Sequence, residues 1–155
     1  IYTVNAPRCQ AAAGFLAEQP AIELNDVTIR FQNHYGSCVI VPLDGHPLAT
    51  SGEVLIQVGT VARPAGWIAR QRSVEADGEW HDGFQILRKG GEPVLIENTS
   101  ATIEIANPRL CQVTVLDVNG QPLDIAVDSS RRGERFHVTL PPNALYTVLS
   151  AKRVE

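Results

Sequence analysis

Turn-forming residues punctuate this chain every eight to twelve residues, and that spacing constrains its fold more than any other feature. Pro and Gly recur throughout, with Asn-Gly and Asp-Gly pairs among them, and the segments between are short and rich in Val, Ile and Thr. Few helices fit between such breaks. Short β-branched runs bounded by turns predict an antiparallel sandwich or barrel. We expect an all-β antiparallel β-sandwich of about ten to twelve short strands, with little or no helix, as a single domain over residues 1–155.

Alternation supports this. Ile103 and Ile105 flank Glu104, Val113 and Val115 flank Thr114, and Phe136, Val138 and Leu140 alternate with His137 and Thr139. A period of two places such residues on one face of a sheet. In "IELNDVTIRF" the apolar parity switches between Leu24 and Val27, which predicts a bulge or tight bend at Asn25-Asp26. "SCVIVPL" is apolar on both parities and suits a strand covered on both sides. Asn119-Gly120 sits between two apolar runs and predicts a hairpin with a type I′ turn. Only residues 9–18 leave room for a short helix or an irregular turn.

Composition narrows the function classes. The 155 residues are 44% hydrophobic and 19% charged, as in a globular chain. A net charge of −4 argues against nucleic acid as a partner, since phosphate binding calls for a basic face. No apolar run approaches the roughly 18 residues that span a bilayer, so no membrane contact is expected. The chain begins at Ile1 with no signal-like segment, as a mature or excised fragment would. Cys9, Cys38 and Cys111 lack metal-ligand spacing and read as small hydrophobes, with one disulfide left open.

Catalytic constellations are missing from the sequence. It holds no GxSxG elbow, no HExxH, no P-loop and no dinucleotide glycine fingerprint, so no enzyme activity is expected. Glu75, Asp77, Glu79 and Asp82 cluster in "SVEADGEWHDGF", which reads as a loop between strands. Asp77-Gly78 and Asp82-Gly83 then read as turn pairs. No cofactor is expected, although those acids could also bind Ca²⁺ through oxygen ligands.

Aromatic residues bear on sugar recognition, because the C–H face of a pyranose packs on an aromatic ring while its hydroxyls take a few polar partners. Trp80 lies in the acidic segment, either as an exposed platform or as a lid folded back on the sheet. The candidate carbohydrate-binding residues are Trp80, His81, Glu79 and Asp82, together with Tyr35. Trp67 follows a strand and the Pro64–Gly66 break. There it either grips a ligand with Arg63 or plugs a structural corner with that guanidinium stacked on it, and the corner is favoured. Most of Phe15, Phe31, Phe84 and Phe136 are expected in the core, which argues against a multi-aromatic strip.

Several longer phrases carry a resemblance. "LDGHPLATSGEVLIQVGTVARPAGW", "PVLIENTSATIEI", "CQVTVLDVNGQPLDIAV" and "VTLPPNALYTVL" resemble the β-sandwich accessory domain that follows the (β/α)₈ barrel in bacterial glycoside hydrolases of the family 5 and family 39 kind. "NAPRCQAAAGFL" looks like the strand that leads out of the barrel. The similarity covers most of the chain and is weakest over 70–92. At Glu92-Pro93-Val94 the chain departs from relatives that place an aromatic residue there. The resemblance implies a non-catalytic carbohydrate-binding module, secreted to the periplasm or the exterior with its parent enzyme. Its partners would be a polysaccharide or oligosaccharide and the catalytic barrel. The alternative is an accessory domain that packs on the barrel and stabilises it without binding sugar.

Overall fold

A computed structural model describes residues 1–151 of the chain. Sixteen antiparallel strands form among them: β1 (Tyr2–Ala6), β2 (Cys9–Gly14), β3 (Ile22–Glu23), β4 (Val27–Phe31), β5 (Gly36–Pro42), β6 (Glu53–Thr60), β7 (Ala62–Ala65), β8 (Ile68–Ala76), β9 (Glu79–Arg88), β10 (Gly91–Ile96), β11 (Ala101–Ala106), β12 (Leu110–Leu116), β13 (Pro122–Leu123), β14 (Ser129–Arg132), β15 (Arg135–Thr139) and β16 (Tyr146–Ala151). The chain is all-β, as its punctuation predicts. Its strands outnumber the expected ten to twelve because several of them are only two to four residues long. The region 9–18 holds β2 and then a single 3-10 turn, Leu16–Glu18.

The described residues group into two compact units. One comprises Ile1–Thr60 together with the chain from Asn98 on, and the other is Val61–Glu97. In the larger unit a seven-stranded sheet runs in the order β1-β2-β5-β6-β16-β12-β13, and a five-stranded sheet runs β14-β15-β11-β4-β3. Their inner faces share one core. Val54, Ile56, Val58, Cys38, Ile40 and Leu149 come from the first sheet, and Val27, Ile29, Ile103, Ile105, Phe136 and Val138 come from the second. The parity switch at Asn25-Asp26 is a tight turn, because β3 folds back on β4 with Ile22 opposite Ile29. Pro42 closes the end of β5.

The outer faces of the two sheets differ in chemistry. One row of directly paired residues crosses the whole seven-stranded sheet: Val4, Ala11, Val39, Gln57, Tyr146, Leu116 and Pro122. It carries no charge. The row Ser130, His137, Glu104, Thr28 and Glu23 crosses the five-stranded sheet instead. There Arg30 lies 2.5 Å from Glu104, and His137 lies 3.6 Å from the same carboxylate. Partial burial pushes the Glu104 pKa up, but the hydrogen bond and charge of Arg30, reinforced by His137, outweigh it and hold the carboxyl below its usual range.

The Asn-Gly turn forms differently from expectation. A type I′ turn needs positive φ at both central residues. Here Gly120 (φ 79°) is left-handed and Asn119 is not. Asp117 closes the loop instead: its Oδ1 accepts the N–H groups of Asn119 and Gln121, and its carbonyl accepts that of Gly120. The type I′ geometry occurs at Asp77-Gly78, where both residues have positive φ (53° and 81°) between β8 and β9.

Candidate functional site

The smaller unit is a two-stranded ribbon. At its base β7 pairs with β10, and beyond that β8 pairs with β9. Two interactions set the junction. Arg88 Nε donates to the Gly66 carbonyl at 2.7 Å, and Gly90 (φ 70°) packs so closely that a Cβ there would lie 2.3 Å from the Ala65 oxygen. Trp67 donates its N–H to the Pro64 carbonyl, and the Arg63 guanidinium lies 5.8 Å from the centre of the indole ring. That arrangement is a cation–π corner. The indole Nε1 is buried and has no hydrogen-bond partner.

The acidic segment expected as a loop is the far half of this ribbon. Asp82-Gly83, expected as a turn, lies inside β9 with Asp82 opposite Ser73. The reason is the turn at Asp77-Gly78. A two-residue type I′ connection matches strand twist and lets both neighbours run on as strands.

The register then sorts the candidate residues. Glu75 faces Trp80, Ser73 faces Asp82, and Gln71 faces Phe84. Residues directly opposite share a side of a sheet and neighbours in sequence do not. Trp80, Asp82, Phe84 and Ile86 therefore occupy one face of β9, whereas Glu79, His81 and Gln85 occupy the other. Trp80 is 71% exposed and Phe84 72%, so the indole is a platform and not a folded-back lid. Four residues of strand separate the backbone positions of Trp80 and Phe84 by about 13 Å. Between them Ser73 Oγ donates to Asp82 Oδ1 at 3.0 Å. Two exposed aromatic rings flanking a polar pair offer apolar faces with hydrogen-bonding groups in between.

Beside Trp80 lies an open depression of about 340 Å³, lined by Arg72, Ser73, Val74, Glu75, Trp80 and Gln85. Gln85 Oε1 accepts from Arg70 Nη2 at 2.8 Å and from Arg72 Nη1 at 3.3 Å. Among the described residues no three His, Cys, Asp or Glu side chains come together as metal ligands.

Tyr35 belongs to the larger unit. It meets Phe15 edge-on at 5.3 Å between ring centres, and His34 lies 5.1 Å from the same Phe15 ring. Phe15 is half exposed, so of the four phenylalanines, most of which are expected inside, two are in the core, Phe31 and Phe136. That expectation rests on the demand of a core for aromatics, which Ile, Leu and Val satisfy here. Phe84, Ser73, Arg72 and Gln85 are the site residues that the sequence reading passes over. Reading Asp77-Gly78 as a two-residue hairpin turn would have placed them all.

Comparison of the chain with protein families, with curated proteins and with solved structures returns no match.

Proposed function

We propose that this chain is a non-catalytic carbohydrate-binding module whose ligand lies along the Trp80–Phe84 face of the β8–β9 hairpin. The observation that carries the reading is the pair of exposed rings on one face of one strand, with Asp82 and Ser73 between them. An isolated two-stranded hairpin is at best marginally stable in water, and leaving two large aromatics exposed adds nothing to its stability. Ligand contact accounts for them. The rings would stack on sugar faces, and the intervening polar groups would take hydroxyls.

Affinity electrophoresis on gels containing soluble glucan, xylan, mannan or polygalacturonate tests this. Retardation on at least one gel is expected, with Trp80→Ala migrating freely on it. Free migration of the wild-type chain on every gel would overturn the reading.

A second reading rests on a different observation, the uncharged row across the outer face of the seven-stranded sheet. Val4, Ala11, Val39, Leu116 and Pro122 give that row an apolar majority, and an apolar patch on a surface suits cover by a neighbouring surface. This face would pack on a neighbouring catalytic barrel, as the sequence resemblance implies. Val148 lies two residues from Tyr146 on β16 and so shares its face, and Val148→Lys should then lower the melting temperature of the chain linked to such a barrel. An unchanged melting temperature counts against docking.

A further inference from the structure

We infer that this chain pairs with a second copy of itself through the face of the β8–β9 hairpin turned away from Trp80, with Arg72 of each copy against Glu79 of the other. The pairs Arg70–Gln85, Arg72–Gly83, Val74–His81 and Ala76–Glu79 all lie on that back face, because residues directly opposite share a side. The Trp80–Phe84 face stays free, so the inference does not rest on the sugar reading. No residue of Val61–Glu97 is buried, and the ribbon therefore has no core of its own. A two-stranded hairpin needs further cover to be stable. Val74, half exposed, sits near the middle of the face that such cover would take.

Charge selects the occupant. Glu75, Asp77 and Glu79 lie toward the turn of the ribbon, and Arg70, Arg72, Arg88 and Lys89 lie toward its base. On the back face Arg72 and Glu79 stand two positions to either side of the Val74–His81 pair, about 13 Å apart along the ribbon. Neither has an ion-pair partner among the described residues. Arg70 and Arg72 donate instead to the neutral Gln85 Oε1. A second copy turned about a two-fold axis at Val74–His81 lays its ribbon antiparallel on the first. Each Arg72 then meets the other copy's Glu79, and each Arg70 meets the turn at Asp77, so every contact is made twice. A parallel alignment would set acids on acids, which is costly. Room is present where the charges must enter. Opposite Arg72 stands Gly83, where a Cβ would meet nothing closer than the Arg72 carbonyl at 3.9 Å, and opposite Glu79 stands the small Ala76. One hairpin face is small beside a standard interface of roughly 800 Å² per partner, so the association is weak and weakens further with salt.

Sedimentation velocity of the full chain, over a concentration series reaching about 1 mM, tests the inference. The wild type should pass from monomer to dimer along the series. Arg72→Glu and Glu79→Arg, each alone, should stay monomeric where the wild type is dimeric, because each sets like charges face to face. An equimolar mixture of the two variants should dimerise, since both contacts then join opposite charges, and the double variant should recover the wild-type dimer. Both positions are exposed, so unchanged circular dichroism is expected throughout. Trp80→Ala should dimerise as the wild type does. A wild type that stays monomeric over the whole series, leaving this face to some other partner, would overturn the inference. So would dimerisation of the single variants at wild-type strength, failure of their mixture to dimerise, or loss of the dimer in Trp80→Ala. Sugar retention is read from the gels alone, so the loss of either reading leaves the other standing.

Discussion

Trp80 and Glu75 stand directly opposite one another across the β8–β9 hairpin, and this register decides which neighbours can share a ligand with the indole. His81, adjacent in sequence, points to the other face. Asp82, one residue further on, returns to the indole's side. Asp82→Ala should therefore weaken retention on a sugar-bearing gel several-fold, and His81→Ala should leave it unchanged. Equal losses from the two would mean that the ligand does not follow the β9 face.

The ribbon hinges on a glycine. Gly90 is left-handed, and a Cβ there would sit 2.3 Å from backbone oxygen, which no side-chain adjustment can relieve. Gly90→Ala should disorder the ribbon while the sandwich persists. In hydrogen exchange, the amides of β8 and β9 should lose protection, and those of β6 and β11 should keep it. Uniform loss of protection throughout would show that the two units unfold as one.

Asp44 ties down the loop between β5 and β6. Its Oδ2 accepts the Gly52 N–H at 2.6 Å, and its Oδ1 accepts the Ser51 hydroxyl at 2.8 Å and the His46 N–H at 3.1 Å. Slight burial raises its pKa, but these hydrogen bonds and the nearby His46 bring the carboxyl down to about 2 from an ordinary 3.8. A depressed carboxyl contributes stability that is complete above its unfolded value and is lost as the pH falls to its folded one. Melting temperature measured from pH 5 to pH 2 should fall mainly below pH 4, and Asp44→Ala should flatten part of that fall. The same variant should cost about 1–3 kcal/mol at pH 7, as the loss of hydrogen bonds to a charged group does. An unchanged acid profile in the variant would show that Asp44 does not contribute to the acid sensitivity of the fold.

The three cysteines are free and differ in surroundings. Burial pushes the Cys38 thiol up to about 12, while Cys111 is exposed on β12. Only a thiolate reacts readily. At pH 8 a thiol reagent should label Cys111 in the native chain and reach Cys38 only after denaturant is added. Rapid native labelling of Cys38 would show that the core opens locally.

Much of the sandwich was legible because its residues face two different environments. Ile103 and Ile105 alternate with Thr102 and Glu104, so burial on one side leaves a period of two in the sequence. The bend at Asn25-Asp26 was legible for the same reason. The ribbon lacked that contrast. In "RQRSVEADGEWHDGFQI" both faces meet solvent, so the alternation carries no apolar side and the acids resemble turn residues. Asn119-Gly120 misled in the opposite way: the dipeptide does mark a turn, but the Asp117 carboxylate two residues earlier selects a different geometry. Arg72 could not be associated with Gln85 from spacing alone. Their meeting depends on the register that Asp77-Gly78 imposes.

The central claim is that Trp80 belongs to a binding surface and not to the fold. A side chain 71% exposed contributes little to stability, so its removal should be nearly silent in unfolding, within about 0.5 kcal/mol. Calorimetric titration of wild-type and Trp80→Ala chains with the polymer that retards the wild type, alongside their unfolding transitions, tests this directly. At least a tenfold loss of affinity, about 1.4 kcal/mol, is expected at an unchanged melting temperature. Unaltered affinity, or a loss of affinity accompanied by collapse of the fold, would contradict it.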